Sequence, residues 1–188
     1  MIDLVVASYK EDVSWISKTN ANVCLYDKGE RGIGIPLENI GREAHTYVHH
    51  IVENYKNLPE WTAFVQGNPF DHAPHVLTLI NDFEKISGDN KKEKFYFLGR
   101  SIVQCDINGL PHHGGLDLAG FQIALFDKIA QMDMMFVAGA QFIVHRDLIK
   151  NKKLAFWKRM LKTFEGDSYP DAPWCAERLW TYIFNYHK

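Results

Sequence analysis

The chain alternates short, continuous apolar runs with stretches in which apolar residues recur every three or four positions. LVVAS at residues 4–8 is a near-continuous apolar run, the pattern of a strand buried on both faces of a parallel sheet. In YKEDVSWISK, Val13, Trp15 and Ile16 predict a short helix, and NVCLYDKG predicts a second strand that turns at Gly29. RGIGIPLENIG, residues 31–41, holds three glycines and one proline and predicts an irregular loop. It feeds NIGREAHTYVHHIVENYKN, residues 39–57, a helix whose buried stripe is Ala44, Tyr47, Val48, Ile51, Val52 and Tyr55.

WTAFVQG at 61–67 predicts another strand, HVLTLINDFEKI an amphipathic helix, SGDNKKEK a solvated turn and FYFLG a strand. Residues 101–118 predict a long loop across one end of the sheet, of a length that often carries function. AGFQIALFDKIAQ follows as a helix, MMFVAGAQFIVHRD as one or two strands bent at Gly139, and LAFWKRMLKTF as a helix. A last helix is expected from Pro173 through CAERLWTYIFNY. The alternation predicts an α/β fold with a mixed, mostly parallel central sheet flanked by helices. Ligands in such sheets bind beyond the carboxyl ends of the strands, so the residues after Ser8, Tyr26, Val65 and Val137 are expected to line the site.

The chain has 188 residues, 46% of them apolar, enough for one core, so a single domain over 1–188 is expected, alone or as part of a longer protein. With 21 Lys and Arg against 23 Asp and Glu, no basic excess is present to attract nucleic acid. Cys24, Cys105 and Cys175 are odd in number, far apart and without a CxxC, which fits a reducing compartment. No apolar run reaches the ~18 residues of a membrane span, so a soluble, cytoplasmic protein without a transmembrane segment is expected.

Several polar clusters sit at the predicted strand ends. His45 and His49 are one helical turn apart, but without HExxH or a third ligand they read as packing residues. The helix start at NIGRE is more informative: the free N–H groups of a first turn, with Arg42 beside them, suit an anion, although Arg42 pairing with Glu38 or Glu11 is the alternative. SYKEDVSW offers Ser8, Tyr9, Glu11 and Asp12 for a base and ribose, or simply acids at a helix start, and YDKG adds Asp27 and Lys28. VQGNPFDHAPH offers Gln66, Asp71, His72 and His75. Of these, Asp71 and His72 are candidate ligands for a manganese or magnesium ion shared with a diphosphate, or Asp71 is a turn residue. His112 and His113 mark a metal-binding, acceptor-binding or lid loop. Glu177, flanked by Trp174, Leu179 and Trp180, is either a first-turn acid or a partly desolvated general base.

Taken in order, VVASYKEDVSW, LYDKG, NIGREAHTYVHHIVENY, AFVQGNP, AGAQFIVHRDLI and AERLWTYIF resemble the blocks of a domain-of-unknown-function family of fungi, bacteria and large algal viruses. That family includes a chlorovirus glycosyltransferase domain acting on the capsid glycan. The wider likeness is to nucleotide-sugar glycosyltransferases of the GT-A fold. The resemblance implies a nucleotide block on Ser8, Tyr9, Glu11 and Asp12, with Asp27 and Lys28 beside it, and Arg42 near the diphosphate. It also implies Glu177 as the acid that deprotonates an acceptor hydroxyl, with Asp117 and Asp171 as competitors. The D-x-D metal motif of that fold is replaced here by VQGNPFDH, in which Asp71 is the one acid.

The expected activity is therefore sugar transfer from a nucleotide diphosphate donor, UDP-linked, to a glycan or glycoprotein hydroxyl. A divalent metal is the expected cofactor, and the setting is the cytoplasm, the host's if the protein is viral. The alternatives are a metal-dependent hydrolase using the histidines, or a non-catalytic nucleotide- or glycan-binding module with Trp61, Trp174 and Trp180 as stacking surfaces.

Overall fold

Short apolar runs bounded by turns become strands, and the longer periodic stretches become the helices that cover them. The computed structural model describes residues 2–89, 92–110, 113–129, 133–166 and 169–184. The order is β1 (Asp3–Ser8), a 3-10 turn (Ser14–Lys18), β2 (Asn22–Asp27), β3 (Ile35–Pro36), α1 (Arg42–Asn54), β4 (Trp61–Gln66), α2 (Val76–Asn81), α3 (Phe83–Asp89) and β5 (Phe95–Phe97). There follow β6 (Ile102–Cys105), β7 (Gly109–Leu110), β8 (His113–Gly114), α4 (Leu118–Phe126), β9 (Met134–Val137), β10 (Phe142–His145), α5 (Arg146–Lys150), α6 (Leu154–Lys162) and α7 (Ala172–Ile183).

Six strands form one mixed, mostly parallel sheet in the order β3-β2-β1-β4-β10-β5. β3, β2, β1 and β4 run parallel, and β10 is antiparallel to both of its neighbours, β4 and β5. Alternate side chains enter two cores. Val5, Phe64, Phe142 and Val144 pack under α1, α6 and α7, whereas Leu4, Val6, Ala63, Val65 and Ile143 pack against Trp15, α2 and α3. Burial on both faces is why these strands are continuously apolar. Phe142 lies at the centre of an aromatic cluster with Tyr47, Phe64, Phe95, Trp180 and Phe184.

The structure departs from the sequence reading in three places. The expected loop 101–118 contains β6, which pairs with β9 in a separate two-stranded sheet, and the hairpin β7–β8. The one or two strands expected over MMFVAGAQFIVHRD are two, in different sheets, separated by Gly139 and Ala140, both at positive φ. The helix expected over HVLTLINDFEKI breaks at Asp82 into α2 and α3. β3 lies inside the expected loop 31–41, where a two-residue strand is too short to show a period. Residues 130–131 and 185–186, which end the helices expected over AGFQIALFDKIAQ and CAERLWTYIFNY, and also His112, lie outside the described residues.

Two buried histidines give the fold a dependence on acid. Burial lowers His45 to about 4, with Lys28 and His49 acting in the same direction, and burial with His49 lowers His50 to about 4. Both are therefore neutral in the fold but bind protons once unfolded, so stability is full above pH ~6.5 and is lost as pH falls toward 4. Each contributes at most about 3 kcal/mol of that loss. Thermal melts should show the midpoint falling across this window, and His50→Gln should flatten the fall. A fall unchanged in His50→Gln would remove His50 from the account.

Candidate functional site

The sheet reverses its winding between β1 and β4: from β1 the chain moves outward to β2 and β3, then returns through α1 to β4 on the other side. A crevice opens at such a switch point, beyond the carboxyl ends of the two strands. Here it is a cavity of about 400 Å³ lined by Ala7, Ser8, Tyr9, Glu11, Lys28, Asn39, Arg42, Glu43, Gln66, Asn68 and Asp71. A second cavity, of about 570 Å³, adjoins it. Arg42, Glu43 and Gln66 belong to both, and the rest of the second wall comes from His72 onward, including Val103, His113, Gly139, Trp174, Glu177 and Arg178.

The first cavity is built by bonds among its strand ends. Glu11 accepts from the Tyr9 N–H at 2.7 Å and from the Ser8 hydroxyl at 3.4 Å. Arg31, which the sequence reading did not single out, donates to the Ser8 hydroxyl at 2.5 Å and to the Glu11 carbonyl at 2.7 Å. Asp27 folds the following loop: its carboxylate accepts N–H groups of Gly29, Arg31 and Ile33 and the Arg31 guanidinium. Burial alone would raise its pKa, but these hydrogen bonds bring it below the usual value. Asp12 receives the Ser14 N–H at 2.8 Å and the Ser14 hydroxyl at 3.1 Å at the start of the 3-10 turn. Asp12 and Asp27, expected to bind ligand, thus stand behind the lining as loop organisers, whereas Ser8, Tyr9, Glu11, Lys28, Arg42 and Gln66 are in it.

The buried Lys28 ammonium donates to the carbonyls of Ile40 and Arg42 at 2.5 and 2.6 Å and so fixes the approach to α1. Burial lowers it to about 8, against the pull of Glu43 and Glu38. Gly41 caps α1 at φ 59° without a side-chain capping bond, and Arg42 follows at φ 51°. Two successive left-handed residues turn the chain sharply into the helix, and at Arg42 this costs backbone strain of the kind concentrated at functional sites. The Arg42 side chain is 56% exposed, lies 5.3 Å from the Trp174 ring centre and has its Nε 3.7 Å from Glu43. First-turn N–H groups, Arg42 and Lys28 together give this end of the cavity an anion-attracting character.

In the second cavity Glu177 is firmly held. It accepts the Gly139 N–H at 2.8 Å and an N–H of Arg178 at 3.2 Å. Gly139 has φ 90°, and a Cβ there would lie 2.8 Å from His72, so only glycine brings this amide to the carboxylate. Arg178 is buried, also donating to the Trp174 carbonyl at 2.8 Å and sitting 2.9 Å from His113 Nδ1. Glu43 was missed by the sequence reading because an acid in a first helical turn is commonplace. Its side chain is only 10% exposed, and α7, which supplies the neighbouring Glu177, lies more than 125 positions later in the chain.

Asp71 lines the first cavity and bonds with Asn68 at 3.2 Å, while His72 lines the second. The two expected metal ligands therefore face different spaces. Among the described residues no three His, Cys, Asp or Glu side chains gather as a metal site. On α1, His45 packs against His49 and Phe164, and His50 against Tyr26 and Phe64. Among the described residues no helix is long and apolar enough to cross a membrane.

Fold and site together define an α/β protein with a two-chambered crevice at the switch point of its sheet. Residues 4–87 match a family model described as a protein of unknown function (DUF3431). No curated protein and no solved structure matches the chain significantly.

Proposed function

We propose that the protein transfers a sugar from a nucleotide diphosphate donor, UDP-linked, to a hydroxyl of a glycan or glycoprotein, on a GT-A-like framework. The observation that carries this reading is the junction of the two cavities at Arg42, Glu43 and Gln66. One chamber gathers an arginine, a lysine and a helix start; the other holds a fixed carboxylate beside an aromatic ring. A diphosphate in the first and a hydroxyl acceptor in the second would meet at the shared wall. The strand order, with its switch point and its antiparallel β10, supports the GT-A-like part.

In this reading the acceptor oxygen attacks the anomeric carbon, and its proton passes to Glu177. The new C–O bond forms as the bond from that carbon to the diphosphate oxygen breaks, and the diphosphate leaves with the electron pair. Arg42, Lys28 and the first-turn N–H groups of α1 meet the charge that develops on it. Asp71, a carboxylate in the lining of the first cavity, could hold a magnesium or manganese ion together with the diphosphate. Such an ion would supply further charge neutralisation to the leaving group. His72 stays outside that set.

Calorimetric titration with UDP, GDP and dTDP, with and without manganese, tests the reading. Saturable binding of at least one nucleotide is expected, tighter with the ion. If all three fail to bind under both conditions, sugar transfer is the wrong function.

A further inference from the structure

The transferred sugar has to lie where the two chambers join, because its anomeric carbon must reach both the diphosphate and the acceptor. Three residues belong to both walls: Arg42, Glu43 and Gln66. Arg42 is taken up by the diphosphate in the proposed function, on which this inference rests, so the sugar hydroxyls fall to the other two. We propose that Glu43 recognises the transferred sugar, donating a hydrogen bond to one of its hydroxyls beside Gln66.

Glu43 is placed for this by packing. It is the second residue of α1, its side chain is 10% exposed, and it lines both cavities. The groups that face it are Arg42 and Tyr47 of its own helix, Lys28 from the end of β2 and Glu177 from α7. Burial pushes its carboxyl above the ordinary range, its own N–H, Arg42 and Lys28 oppose this, and Glu177 adds to it. Such a carboxyl keeps its proton into a higher pH range and serves as a hydrogen-bond donor, as a carboxylate does not.

The test compares wild type, Glu43→Ala and Glu43→Gln by calorimetry. The probes are UDP and GDP and their neutral hexose conjugates. Glu43→Ala should lower the affinity for the best neutral conjugate about tenfold, the size of one lost hydrogen bond, and leave the parent diphosphate within about twofold. Glu43→Gln, a permanent donor of the same shape, should stay within about threefold of wild type for both. Because a buried carboxyl with a raised pKa loses stability as pH rises, Glu43→Gln should also melt about 3 °C higher than wild type at pH 8.5 and no higher at pH 4. Equal loss of parent diphosphate and conjugate, or damage by Gln as large as by Ala, overturns the proposal. If the wild type binds no nucleotide or conjugate, the transferase reading itself fails and takes this one with it.

Discussion

Glu177→Gln is expected to slow sugar transfer about 10²- to 10⁴-fold, the usual worth of a positioned general base, while donor affinity stays within about twofold. Glutamine has the shape of glutamate, and its amide oxygen can still accept the Gly139 N–H that holds Glu177 in place. What it cannot do is take up a proton. Arg178 would lose its carboxylate partner but keep the Trp174 carbonyl and the contact with His113, so the fold should survive with modest destabilisation. Turnover measured by release of nucleoside diphosphate in the presence of a glycan acceptor is the readout. Unchanged turnover with normal donor binding would strip Glu177 of the role and move attention to Asp117 and Asp171. Asp117 caps α4 through the Gly120 N–H at 2.8 Å, which already occupies one of its oxygens.

Arg42→Gly should produce changes of opposite sign in binding and in stability. In the proposed reading, loss of the guanidinium would remove charge-assisted hydrogen bonds to the diphosphate and should weaken nucleotide binding about 10- to 100-fold. Glycine, however, adopts φ 51° without the strain that an arginine carries there, a relief of about 1 kcal/mol that offsets the lost contact with Trp174. The thermal midpoint should therefore hold or rise as affinity falls. Arg42→Lys keeps the charge but not the forked geometry and should fall between. Parallel loss of affinity and stability would instead mean that Arg42 serves the fold.

Much of the architecture is legible in the chain because its strands are buried on both faces. LVVAS and WTAFVQG admit little else, and the stripe from Ala44 to Tyr55 fixes which side of α1 faces the sheet. Direction is another matter: FIVH looks the same whether β10 runs parallel or antiparallel to β4, since burial depends on alternation and not on polarity. The two-residue β3 and the exposed edge strand β6 carry too few inward positions to register as a pattern.

The site divides similarly. Residues at strand ends, such as Ser8, Lys28 and Gln66, could be placed by fold logic alone. Asp27 and Asp12 could not be told from cavity-lining residues by residue type, although an aspartate two residues before a glycine turn, as at Asp27, is also the usual signature of a carboxylate that organises its own loop. Glu43 gave no signal, because an acid in a first helical turn is commonplace and the Glu177 that influences it comes from a helix at the far end of the chain.

The walls of the crevice also have an order along the chain. The first chamber is drawn wholly from residues 7–71, and apart from the three shared residues the second is drawn from His72 to Arg178. Substitutions after position 71 can therefore reshape the second chamber while every residue that lines the first stays in place. In the proposed reading the chain carries two separately adjustable dials, one for the donor and one for the acceptor.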